Sequence, residues 1–238
     1  MPTELYDAHC HSQHRLTGAR NYVVNGTSPS DWTDIIELAA VNEQVIPAIG
    51  LHPWKIKDAP ADWQARFLEA LPQVQAVGEI GLDQWIEGDD IERQKTAFRW
   101  QLEKTTERNL PVSIHCLKAS EALLSILKNC PLPARGIHLH AYSGSAQQVK
   151  TFADLGAYFS FHAGQFKANA KKIRAAVCEV PADRLLIETD APDTLQQGDN
   201  SVALLQRGYD MVTELRSVPT EQLTEQVADN FKRYFLDD

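Results

Sequence analysis

Residues 111–140 read PVSIHCLKASEALLSILKNCPLPARGIHLH. Pro111–His115 is a short, nearly continuous apolar run ending on a histidine, Ala119–Asn129 carries a helical pattern, and Gly136–His140 repeats the first kind of run. Near-continuous apolar strands are those of a parallel sheet covered by helices, and strand, helix, strand within about 30 residues is one βαβ unit. The alternation extends outward in both directions. Further strands are predicted over Leu5–Cys10, Asn21–Asn25, Val45–Gly50, Gln75–Ile80, Ala157–Phe161 and Arg184–Glu188. Helical patterns cover Ser30–Val41, Ala61–Leu71, Ile91–Arg108, Ser145–Leu155, Ala168–Cys178, Val202–Arg216 and Glu221–Phe235. Eight strands alternating with helices predict an α/β fold, a (β/α)8 TIM-type barrel.

One unit departs from that plan. Ten residues, 12–21, separate His11 from Tyr22, whereas a crossover with its helix needs at least about 10–12. The helix after the first strand is therefore expected to be missing. With no linker, low-complexity stretch or internal repeat, residues 1–238 read as a single barrel domain.

Composition bounds the function. The chain has 238 residues, 43% hydrophobic, with 12 Gly and 12 Pro, enough apolar material for a sizeable core. Its 23 Lys+Arg against 32 Asp+Glu give a net charge of −9, which argues against holding nucleic acid through a broad basic surface. Residues 1–20 contain no signal-peptide core and no window approaches a membrane span, so a cytoplasmic location is expected and no membrane or obligate protein partner is indicated. Cys10, Cys116, Cys130 and Cys178 are scattered without a CxxC pair, and neither Cys10 nor Cys116 sits on a nucleophile elbow.

Seven of the eight histidines lie on or just after a predicted strand, and His14 falls in a loop. In a barrel the strand C-termini converge on one mouth. His9 and His11, two apart on the first strand, leave on the same face. Glu79 lies near the end of the fourth strand, His115 ends the fifth, His140 the sixth, and Asp190 follows the eighth. Gathering six such groups at one mouth is costly without a cation and favourable with one.

Imidazole and carboxylate without thiolate suit Zn, Mn, Fe or Mg. A catalytic site takes three protein ligands and leaves a position open, so six ligands divide into two sites sharing a carboxylate. Glu79 is the candidate bridge between two divalent metal ions, with His9, His11 and Asp190 on one side and His115 and His140 on the other. Asp190 could turn its free oxygen to the attacking water. His52 in IGLHPW and His162 in FSFHAG are candidates for substrate contact, and His138, two before His140, for support beneath the site.

The motifs DAHCH (7–11), IGLHP (49–53), AVGEIGLD (76–83), NLPVSIH (109–115), HAYSGS (140–145), DRLLIETDAP (183–192) and DNFKRYF (229–235) resemble those of the TatD family of metal-dependent hydrolases, in family order and across nearly the whole chain. The resemblance implies an amidohydrolase-superfamily barrel with two divalent ions and the same six ligands. It implies His52 as a further active-site residue, and phosphodiester hydrolysis, often of DNA. Leu117 and Lys118 stand where members usually carry Arg-Asp, and Asp199 precedes Asn200 where members end a basic segment in Arg-Asn. These departures remove bidentate phosphate partners. The expected activity is thus a two-metal hydrolase acting on a phosphoester substrate, DNA or a nucleotide. A hydrolase of carboxylic esters or amides is the alternative, since the same ligands serve both; a barrel that binds metal without turnover has less to support it.

Overall fold

The structure is a computed structural model and describes residues 4–11, 19–85, 90–167, 169–192, 194 and 200–237. Eight parallel strands form one sheet in sequence order: β1 Tyr6–Cys10, β2 Asn21–Asn25, β3 Val45–Ile49, β4 Ala76–Asp83, β5 Val112–Leu117, β6 Ile137–Leu139, β7 Ala157–Phe161 and β8 Leu185–Ile187. Backbone hydrogen bonds cross the seam between the two ends of the sheet, Asp190 N donating to His9 O at 2.9 Å and His11 N to Ala191 O at 2.8 Å. The buried Asp7 carboxylate fastens the same seam by accepting from Thr189 N (2.9 Å) and Thr189 Oγ1 (2.6 Å). The result is the nearly closed barrel that the strand and helix alternation predicts.

Helices α1 Trp32–Val41, α2 Trp63–Ala70, α3 Ile91–Glu107, α4 Ser120–Asn129, α5 Ala146–Ala153, α6 Lys171–Glu179, α7 Ser201–Arg216 and α8 Thr220–Phe231 surround the strands. The expected loss of a helix after β1, the loop placement of His14 and the acidic Asp199 all concern positions outside the described residues.

The period-2 alternation of each strand sorts its residues. Val112, Ile114, Ile137, Leu139, Phe159, Phe161, Leu185 and Ile187 pack outward under the helices. Their neighbours fill the inside. Val23, Ile46, Ala76, Tyr158 and Leu186 join Tyr6, Phe231, Tyr234 and Phe235 in a cluster that closes the N-terminal end of the barrel. The last helical pattern does not run unbroken to Phe235: α8 ends at Phe231 and residues Lys232–Leu236 form a wider π turn. Tyr234, on that turn, accepts from Val112 N (3.0 Å) and donates to Val112 O (2.9 Å), capping the start of β5.

β4 and β5 run further than their apolar patterns predict, pairing through Asp83 and Leu117. A side chain from α3 explains the extra length. Gln94 accepts from Asp83 N (2.8 Å) and donates to Asp83 O (2.9 Å), doing for β4 what a neighbouring strand would do. Two turns later Gln101 treats Leu51 N and O in the same way, at 2.7 and 3.2 Å, holding the segment that carries His52.

Candidate metal centre

Glu79 stands at the centre of the mouth. Its backbone N donates to Gly26 O at 2.7 Å, and glycine at 50 lets the β4 backbone come close, since a Cβ there would lie 2.6 Å from Glu79 O. The carboxylate is buried and its two oxygens face different partners. Oε2 lies 3.5 Å from both His9 Nε2 and His11 Nε2. Oε1 accepts from His140 Nε2 at 2.7 Å and His115 Nδ1 at 2.8 Å, with His52 Nε2 at 3.3 Å. Asp190 Oδ1 completes the first group, 3.8 Å from His9 Nε2 and 3.6 Å from His11 Nε2. All six ligand candidates from the sequence are therefore brought together: Glu79 lies between His9, His11 and Asp190 on one side and His115 and His140 on the other, where His52 joins as a third histidine.

The histidines are aimed from behind. Asn25 O lies 2.9 Å from His11 Nδ1, and Asp83 Oδ2 accepts from His115 Nε2 at 2.8 Å. Behind His9 a buried chain crosses the barrel: His9 Nδ1 to Ser113 Oγ at 2.9 Å, Ser113 Oγ to His138 Nδ1 at 3.2 Å, and His138 Nε2 to Ser160 Oγ at 2.6 Å. Ser160 then donates to Glu188, whose Oε1 accepts from Ala141 N at 2.8 Å and lies 3.6 Å from His140 Nδ1. Lys118, Ala141 and Asp190, which follow β5, β6 and β8, adopt φ of 53°, 41° and 53°, the left-handed region that residues other than glycine seldom occupy.

The electrostatics ask for positive charge. Burial opposes ionisation of Glu79, yet the surrounding His140, His52 and His115 hold it well below the usual carboxylate range. Burial likewise lowers His11, but its hydrogen bond to Asp190 and the Glu79 charge carry it up to about 9. Against burial, His140 is raised by Glu79 and Glu188, and His115 by Asp83 and Glu79. Asp190 is lowered to about 2, burial being outweighed by His11, His140 and His9. His9 is lowered by burial first and then by His140, and its Nε2 is buried without a hydrogen bond. A neutral imidazole nitrogen aimed at two carboxylates is a ligand's posture, and the nitrogen and oxygen donor set fits Zn, Mn, Fe or Mg. Groups with the spacing to hold a cation include His9, His11 and Asp190, and His52, Glu79 and His115.

His52 differs from the other histidines. Its Nδ1 accepts from Trp54 N at 3.1 Å, so the neutral ring, which burial favours, carries its proton on Nε2 and presents a donor. A cavity of about 490 Å³ opens above these groups, lined among others by His11, His52, Trp54, Lys55, Leu117 and Gln165. His162 is not among the lining residues; Gln165, three residues on, takes that wall and donates to Ala141 O at 2.8 Å. Cys10 is buried and burial pushes Cys116 up to about 11, so neither is a ready thiolate.

Sequence reasoning passed over Asp83, Ser113, Ser160, Glu188 and Trp54. Asp83 had a signal, standing four residues after Glu79 on one strand and hence on the same face. The serines had none, because a serine between apolar neighbours reads as an ordinary small strand residue.

The sequence model of the family described as TatD related DNase matches residues 6–236. The metal-dependent hydrolase YabD of Bacillus subtilis is 32% identical over 219 residues, covering 90% of this chain and 86% of its own. The protein named 3'-5' ssDNA/RNA exonuclease TatD of Erwinia tasmaniensis is 29% identical, covering 93% and 90%. The crystal structure of the TatD homologue YjjV from Escherichia coli K12 superposes with a TM-score of 0.91 at 27% identity over 100% of both chains.

Proposed function

Because the chain belongs to the TatD-related DNase family of metal-dependent hydrolases, we propose that it holds two divalent cations across Glu79 and cleaves phosphodiester bonds of single-stranded nucleic acid from the 3' end. The observation that carries this reading is the division of the Glu79 carboxylate, with Oε2 toward His9 and His11 and Oε1 toward His115 and His140. His9, His11 and Asp190 would hold one cation with Oε2, and His115 and His140 the other with Oε1. When bound, divalent cations supply Lewis-acid polarisation of the phosphoryl group and ease deprotonation of water.

The chain's own groups do the rest. Asp190, held at about 2, is ionised at every working pH. With Oδ1 turned to the histidines, it offers its other oxygen to orient the attacking water. His52, whose Nε2 faces Glu79 Oε1 at 3.3 Å, would turn that N–H to a phosphate oxygen once cations occupy Glu79, its ring fixed by the Trp54 N–H on the opposite side. Asn25 O and Ser113 Oγ, 2.9 Å from His11 Nδ1 and His9 Nδ1, keep those rings in place as the substrate enters. Such preorganisation is where most of the rate comes from.

The protein loaded with Mn²⁺, Mg²⁺, Zn²⁺ or Fe²⁺ is offered single-stranded DNA and RNA labelled at either end. Release of mononucleotides beginning at the 3' end is expected. Failure to cleave either polymer with any of the four ions, alongside turnover of carboxylic esters or amides, would overturn the reading.

A further inference from the structure

Three of the five tryptophans are used by the packing: Trp32 is buried with its Nε1 donating to Gly50 O at 3.0 Å, and Trp63 and Trp100 lie edge to face at 5.0 Å. The other two are left in solvent. Trp54 is 43% exposed and Trp85 60%, and they are the aromatic members of the exposed large apolar set among the described residues. Both stand on the catalytic mouth and both are tied to one carboxylate. Asp83 accepts from Trp54 Nε1 at 2.8 Å and from Trp85 N at 2.6 Å, while its Oδ2 also holds His115. The Trp54 ring lies edge to face against His52 (5.0 Å) and His115 (6.2 Å) on the cavity wall.

Cations accompany these rings. Lys118 Nζ lies 3.8 Å over the centre of the Trp85 ring, and Lys118 keeps a left-handed φ of 53° in that position. Lys55, next to Trp54, lines the cavity. Another part of the lining carries Asp31, whose carboxylate is engaged by Thr27 N and Oγ1 at 2.9 and 2.8 Å. An anionic polymer entering the mouth is therefore drawn to the tryptophan and lysine side.

We infer that Trp54 and Trp85, with Lys118 and Lys55, form a stacking rim that receives the bases of a single-stranded oligonucleotide and steers its phosphate to the metal centre. The inference rests on the nuclease reading given above and names how that substrate is held. The bases stack on the indoles, and Lys118 can leave the ring for a phosphate. Stacking accepts any base, so it supplies affinity to a chain of net charge −9 that lacks a broad basic surface.

The test is binding of oligonucleotides to the full chain in the presence of a chelator, followed by tryptophan fluorescence, with a base-free sugar-phosphate polymer of equal length as the comparison. The wild-type chain is expected to prefer the base-bearing polymer by about fivefold to a hundredfold per stacked base. Trp85→Ala should lose most of that preference and Trp85→Phe should keep it. Lys118→Ala should weaken both polymers alike and flatten their salt dependence. Equal binding of the two polymers by the wild type, or an unchanged preference in Trp85→Ala, overturns the rim while leaving the nuclease reading intact if the metal-loaded enzyme still releases nucleotides. A chain that neither binds nor cleaves nucleic acid overturns both.

Discussion

The two ends of the same eight strands are built from opposite materials. At the N-terminal end Tyr6, Tyr158, Phe231, Tyr234 and Phe235 close the barrel with rings in contact, Tyr158 and Tyr234 at 4.5 Å and Tyr6 and Phe231 at 4.9 Å. Polar atoms there are spent on the fold, Tyr234 capping Val112, Tyr209 capping Tyr6 and Asn230 Nδ2 donating to Leu185 O at 2.8 Å. At the C-terminal end imidazoles face carboxylates instead, with Glu79 Oε1 2.7 Å from His140 Nε2 and 2.8 Å from His115 Nδ1. The difference shows that stability and chemistry are divided along the barrel axis, with the Ser113, His138, Ser160 and Glu188 chain as the layer between them.

The hardest blow to the upper end alone is Glu79→Gln. In the proposed centre both cations would share this carboxylate, so hydrolysis should fall by about a thousandfold or more, given that supporting residues alone account for about 10- to 100-fold, and metal analysis should show both ions weakened while the circular dichroism stays that of a folded chain. The matching blow to the lower end is Phe231→Ala. Chemical denaturation should register a loss of about 3–5 kcal/mol, with the metal content of the folded fraction unchanged. If Phe231→Ala altered metal stoichiometry, the division would be broken.

Asp7 sharpens the comparison through pH. Burial raises its carboxyl to about 7, against hydrogen bonds from Thr189. A carboxyl whose folded value exceeds its unfolded one of about 3.9 stabilises the fold in its protonated form. That contribution is complete below about pH 4 and is lost as pH rises through 7. Asp7→Asn keeps an oxygen for Thr189 N and His9 N, which donate to Oδ1 at 2.9 and 3.2 Å, and thermal melts of the metal-free variant should lack the fall of a few kcal/mol expected of the wild type between pH 4 and 7.

Much of both ends could be read from the residues, for reasons that differ. Apolar runs of strand length marked all eight strands, and the six ligand candidates stood out because ionisable side chains at strand ends have few uses outside a site. What escaped was set by partners distant in sequence. β4 reaches Asp83 because Gln94, on a helix, completes its hydrogen bonds, and no pattern within AVGEIGLD announces that. Ser113 and Ser160 matter through His138, which lies between them only once β5, β6 and β7 are side by side. Gln165 takes a place on the wall because the short turn after β7 sets it there, whereas the visible signal was the histidine that precedes it.

Asp83→Asn probes the smallest effect. Replacing the acceptor of the His115 Nε2–H should lower metal affinity by about 10- to 100-fold in competition with a chelator, with little change in melting temperature. A large loss of stability without a change in affinity would move Asp83 from the site to the scaffold.

Manganese loading followed by electron paramagnetic resonance reaches the central claim, the Glu79 bridge. Two Mn²⁺ per chain with an exchange-coupled spectrum, both lost in Glu79→Gln, is the expected result. A single uncoupled Mn²⁺ per chain, unaffected by that substitution, would contradict it.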